Sequence, residues 1–250
     1  MVVSDLFGVL CKEYLSTGKS AELKLELDNG VVMDDFPVEF YVNSRELRHL
    51  ERLFLKKTKG RVLDIGCGPG RVMLTLKENG LDAVGVDHSE NMVFIARQRG
   101  LNAYQLDVNH TLPEGRFDAF VMYGNGFGMP GSIDNIRNLL RRLHTIANPN
   151  AILIAESNDP NNMKNEIDIV YQQRNLRDGR YLGHRRWRSI SGDKVGDWET
   201  WVQAEPSLLE QLAGEAGWKT SDGPQYEEDS QWGAYFFTLS KLGTGSGEGN

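Results

Sequence analysis

Cysteine is nearly absent from this sequence: its 250 residues include only Cys11 and Cys67. The pair has no metal-type spacing and supplies no disulfide framework, so a reducing, cytoplasmic setting is expected. Long apolar runs are missing too, and none approaches the roughly 18 residues of a membrane span. Met1–Phe7 shows no basic segment ahead of an apolar stretch, so no signal peptide is expected there. Positive charge is scarce: 28 Lys and Arg against 35 Asp and Glu leave a formal net charge of -7. Phosphate contacts dominate nucleic-acid affinity and need a basic face, so this balance disfavours a polyanion binder. What remains is ordinary for a globular chain, 40% hydrophobic and 25% charged. It is long enough for one sizeable α/β domain with additions.

Glycine, by contrast, is plentiful, and the chain is organised around one glycine-rich stretch. Val62-Leu63-Asp64-Ile65-Gly66-Cys67-Gly68-Pro69-Gly70 reads as a buried strand ending in three glycines spaced two apart, with a helical pattern after it. Glycines at a strand-to-helix turn allow positive φ and let a ligand lie against the main chain.

Around that turn the chain divides by rhythm. Residues 7–15 read as a helix closed by Gly18. The alternation Leu23–Leu27, the turn Asp28-Asn29-Gly30 and Val31–Met33 read as a β-hairpin. Residues 43–58 carry a helical stripe, with Asn43 or Ser44 as N-cap. From Gly60, strands at 61–67, 83–87, 103–107, 119–123 and 151–156 alternate with helices at 71–79, 90–99 and 132–147, which implies a mostly parallel sheet covered on both faces. Further on come a helix at 164–175, a second hairpin at 180–203, a helix at 206–215 opened by Pro206, and strands at 218–226 and 234–241. Residues 243–250 resemble a linker.

The nicotinamide-dehydrogenase fingerprint G-x-G-x-x-G/A fails here, because residue 71 is Arg; a G-x-x-x-x-G-K-[ST] phosphate loop is absent as well. Instead, Asp64–Gly70 resembles the first motif of class I S-adenosylmethionine-dependent methyltransferases. Val84-Gly85-Val86-Asp87-His88-Ser89 is similar to that family's second-strand motif, Leu106-Asp107-Val108 to its third, and Phe117–Asn125 to its fourth-strand segment. The resemblance is close over residues 60–157. It implies a Rossmann-like, doubly wound, mostly parallel seven-stranded sheet with an N-terminal hairpin and helix extension and an inserted antiparallel hairpin. The expected organisation is a cap at 1–58, a cofactor domain at 59–242 with an insertion at 158–203, and a tail at 243–250.

The resemblance also implies S-adenosylmethionine as cofactor, leaving S-adenosylhomocysteine. Its expected contacts are Asp64, Gly66, Cys67, Gly68, Gly70, Asp87, His88, Asp107, Val108 and Tyr123. Asp87 would hold the ribose hydroxyls and Asp107 the adenine amino group, with Asp64 orienting the loop. The residues agree with this: Asp87 follows Gly70 by seventeen positions, near the spacing at which nucleotide folds place a ribose-binding acid. A carboxylate there accepts two hydroxyl hydrogen bonds.

The fourth strand lacks an Asn/Asp-Pro-Pro-aromatic motif. Its loop, Tyr123-Gly124-Asn125-Gly126-Phe127-Gly128-Met129-Pro130, is closer to enzymes that methylate N or O of small molecules. Candidate acceptor contacts are Tyr41 (after Phe36 and Phe40), Asn125, Phe127, Arg186 and Arg188. The Arg-rich hairpin reads equally as an anion site or as a charged edge strand, since Arg pairs bidentately with carboxylate or phosphate. Trp198 and Trp201 read equally as pocket wall or core. His144 and His184 cannot be ranked, so no catalytic base is assigned, and no metal site is expected. A small-molecule acceptor is the expected partner; neither nucleic acid nor membrane is. An RNA or protein methyltransferase and a non-catalytic cofactor-binding domain remain as alternatives.

Overall fold

Residues 1–34, 37–44 and 46–242 are described by the structure, a computed structural model. Helix α1 (Leu6–Thr17) is opened by the Asp5 carboxylate, which accepts from the Gly8 N–H, and closed by Gly18 at φ 68°. Strands β1 (Lys24–Leu27) and β2 (Val32–Asp34) form the expected hairpin.

The next stretch differs from expectation. Residues 43–58 are not one helix: α2 (Val38–Asn43) and α3 (His49–Leu55) flank a break. Asn43 ends α2, and neither it nor Ser44 caps α3. The start of α3 is held by Glu51, whose carboxylate accepts from the Arg48 N–H at 2.7 Å. An acid at the third helical position can thus satisfy an orphan donor where Ser or Asn was expected to do so. Phe36 and residues 243–250 lie outside the described residues.

From β3 (Arg61–Ile65) the chain runs through α4 (Arg71–Glu78), β4 (Asp82–Asp87), α5 (Glu90–Gln98), β5 (Ala103–Gln105), β6 (Phe117–Met122), α6 (Ile133–Ile146) and β7 (Ala147–Asn158). After α7 (Glu166–Arg177) come β8 (His184–Ser191), β9 (Lys194–Val195), β10 (Glu199–Val202), α8 (Pro206–Glu215), β11 (Trp218–Tyr226) and β12 (Ala234–Lys241). The main sheet has seven strands in the order β11-β12-β7-β6-β3-β4-β5, parallel except for β12, which runs antiparallel to both neighbours.

Strand alternation sends neighbouring residues to opposite faces. Leu63, Ile65, Phe120 and Met122 pack against α6 and α8. Val62, Ala119 and Val121 pack with Phe54 and Leu55 of α3 and Val72 and Leu76 of α4. The sheet is therefore buried on both sides, as its near-continuous apolar strands require.

The two hairpins outside the α/β region form a single second sheet. β1 pairs with β2 on one side and with β8 on the other, setting Glu26 opposite Arg188 and Leu27 opposite Trp187. β10 continues it beyond β8, giving the order β10-β8-β1-β2. Pairing between strands some 160 residues apart leaves no local signature in sequence.

Candidate functional site

After Ile65 the chain turns through Gly66, Gly68 and Gly70 at φ 73°, 52° and 91°. These left-handed conformations strain any residue with a Cβ, which explains the glycine spacing. The Gly66 and Cys67 N–H groups donate to the Val86 carbonyl at 2.8 and 3.1 Å, anchoring the turn to β4. At the end of β4, the Asp87 carboxylate accepts from Gly68 N–H at 2.8 Å and Ser89 N–H at 2.9 Å. Burial pushes this carboxyl up, while the two N–H groups and His88 oppose the rise. Ser89 caps α5 through Met92 N–H and donates its hydroxyl to Asp5 at 2.6 Å. The N-terminal segment thus braces the second-strand acid.

A cavity of about 530 Å³ opens beside this turn. Of the expected cofactor contacts, Gly66, Asp87, His88, Asp107 and Val108 line it. Asp107 accepts from Asn109 N–H at 2.8 Å and keeps its side chain half exposed. Cys67, Gly68 and Gly70 lie in the turn just behind the lining, with Gly68 reaching Asp87 and Gly70 packed on Leu101. The opposite wall comes from Met129 and Pro130 after β6 and from the edge of the second sheet, Trp198 to Trp201. Among the readings left open for the two tryptophans, pocket wall is the one observed.

Asp64 and Tyr123 sit deeper. Asp64 is buried, with no partner for Oδ2, and burial pushes its carboxyl up to about 7 despite the nearby Arg71. Tyr123 donates its hydroxyl to the Glu51 carbonyl at 2.9 Å. Glu51, fully buried, takes a bidentate fork from Arg71 at 2.6 Å per bond. Burial would raise the Glu51 carboxyl, but Arg71 and Arg48 outweigh it and hold it below its ordinary range. Arg48 continues the network to Glu156 at 2.6 Å, and Glu156 accepts from the Gly124 N–H at 2.7 Å.

None of the candidate acceptor contacts lines the cavity. Tyr41 packs edge-on against Phe7 and Phe40, with ring centroids 4.7 and 5.6 Å away. Asn125, at φ 57°, accepts from Asn158 N–H at 3.1 Å, and Phe127 is buried against Phe237. Arg186 and Arg188 lie over the Trp198 ring, 5.0 and 4.6 Å from its centroid, and Arg188 also pairs with Glu26. Sequence reasoning passed over Glu199 and Glu51. For Glu199 the available signal was its place two residues before Trp201, on the same strand face.

An open α/β sheet with a glycine turn after its first parallel strand, an acid ending the next and another just after the third, and a cavity at the strands' C-terminal ends defines a nucleotide-cofactor class of fold. Residues 41–206 match the model of a family described as a methyltransferase domain, and the chain belongs to that family. It is similar to a solved S-adenosylmethionine-dependent methyltransferase from Bacteroides fragilis in complex with S-adenosylhomocysteine. That likeness has a TM-score of 0.78 and 22% identity, and covers 96% of this chain and 95% of the other. Among curated relatives, demethylmenaquinone methyltransferase of Thermus thermophilus is 29% identical over 54% of this chain and 63% of its own length. Trans-aconitate 2-methyltransferase of Rhodococcus jostii is 44% identical over 24% of this chain and 25% of its own length. Each of these curated relatives is thus matched over less than two thirds of its length. No helix among the described residues is long and apolar enough to cross a membrane.

Proposed function

We propose that the protein transfers a methyl group from S-adenosylmethionine to a small molecule. The observation that carries this reading is Asp87, held by two backbone N–H groups on the wall of a cavity that the glycine turn borders. The residues present suit the cofactor: a side chain at 66 would crowd Met129 at the cavity edge, and a buried Asp64 oxygen without a partner lies close behind. In this reading Asp87 and Asp107 accept from the ribose and adenine ends, and the turn leaves room for the amino-acid end. When bound, the cofactor supplies an electrophilic methyl group on a sulfonium.

What the chain itself contributes is position. Aligning two reactants can supply up to about 7–11 kcal/mol of the barrier. Trp198 to Trp201 bound the cavity on the side across from Asp87. No general base is assigned: His144 and His184 lie outside the cavity lining. Calorimetry with S-adenosylhomocysteine, followed by labelled donor and fractionated cell metabolites, tests the reading. Binding plus a labelled small molecule supports it; failure to bind S-adenosylhomocysteine refutes it.

A further inference from the structure

The ionisable side chains lining the cavity are mostly acidic. Asp87, Asp107 and Glu199 face it with His88, and neither Lys nor Arg lines it among the described residues. None of the β8-hairpin arginines, on which an anion site would rest, is among the described lining residues; Arg186 and Arg188 are set back over the Trp198 ring. Arg180 pairs with Asp28, Arg185 with Asp168, and Arg188 with Glu26, while Arg186 lies over Trp198. An anionic acceptor would meet the acidic side chains of the lining directly, with the Arg186 and Arg188 guanidiniums set back over the Trp198 ring.

Asp87 and Asp107 are taken by the donor in the reading above, on which this inference rests. Glu199 is the remaining lining carboxyl among the described residues, on β10 across the cavity from β4, with the Trp201 indole beside it. We propose that Glu199 and Trp201 form the acceptor site and that the acceptor is a small amine.

The reaction's own charge flow favours this pairing. The acceptor nitrogen gives its lone pair to the methyl carbon while the carbon–sulfur bonding pair stays with sulfur. Positive charge therefore leaves sulfur and appears on nitrogen, from which one proton then passes to water. The Glu199 carboxylate at the acceptor end, with the Trp201 indole beside it, stabilises that charge as it develops. For a carboxylate or phenolate acceptor the charges would cancel instead, and an acidic wall would only oppose entry.

The test uses the full chain, labelled S-adenosylmethionine, and cell metabolites separated by ion exchange into basic and acidic fractions, with phenols as a third pool. Label is expected in the basic, amine-bearing fraction. Glu199→Gln is expected to lower that transfer by at least about tenfold while S-adenosylhomocysteine affinity stays within about threefold. Preserved affinity separates a lost acceptor contact from a collapsed site. Label in the acidic or phenolic pool, label in no pool from a protein that binds S-adenosylhomocysteine, or full amine transfer by Glu199→Gln would overturn the proposal. A wild-type protein that does not bind S-adenosylhomocysteine would instead refute the underlying reading.

Discussion

The Asp87 carboxylate accepts the Gly68 N–H at 2.8 Å, tying the acid that ends the second parallel strand to the turn that ends the first. The two motifs, nineteen residues apart, act as one unit. Asp87→Asn keeps an acceptor but removes the charge that strengthens both N–H contacts. S-adenosylhomocysteine affinity, measured by calorimetry, is expected to fall at least about tenfold. Unchanged affinity would remove Asp87 from the cofactor site.

Glu51 and Arg71 form a buried pair behind the site, and breaking such a pair strands a charge. Glu51→Gln is expected to cost about 3–5 kcal/mol in urea unfolding. The sign with pH follows from the Glu51 carboxyl lying below its unfolded value of 4.5 when folded. Its contribution is complete above that value and is lost as pH falls through the folded one. Wild type is therefore expected to lose more stability on acidification than Glu51→Gln.

Asp64 carries the opposite sign. Its folded carboxyl titrates at about 7, against 3.8 when unexposed to burial. Between those values the folded state holds more protons than the unfolded one, so stability falls as pH rises. Asp64→Asn should flatten that decline, with a larger gain in melting temperature over wild type at pH 8 than at pH 5. Equal gains at both pH values would place the charge of Asp64 elsewhere.

Two glycines give contrasting expectations. A methyl group at Gly128 would overlap the Val202 carbonyl of β10, so Gly128→Ala should push the cap edge away. A loss of about 1–3 kcal/mol together with weaker S-adenosylhomocysteine binding is expected. Gly214, within α8, has open space where a Cβ would stand. Gly214→Ala should stabilise by about 0.5–1 kcal/mol and leave binding alone. Parallel urea unfolding and calorimetry on both variants decide the matter.

Much of the fold was legible because its signals are local. The short apolar runs of β3 and β6, the stripe of α6 with Ser132 accepting the Asn135 N–H, and Gly18 at the end of α1 are each set within a few residues. The break between α2 and α3 was not legible, since Glu51 could be read as one more polar helical residue. Nor were the acceptor-side contacts: Phe127 looked like pocket lining and is core, packed on Phe237 from the last strand.

By itself, then, the sequence determined the glycine turn at 66–70, the acids that end β4 and follow β5, and the alternation that buries a parallel sheet on both faces. Those features follow from backbone sterics and side-chain periodicity over short spans. Only the tertiary structure decided that β1 joins β8, that β10 turns Glu199 and Trp201 toward Asp87, and that Arg180, Arg185 and Arg188 pair with Asp28, Asp168 and Glu26. Such relations depend on pairing between distant segments. Strand register and ion-pair choice there are settled by packing, which no local pattern records.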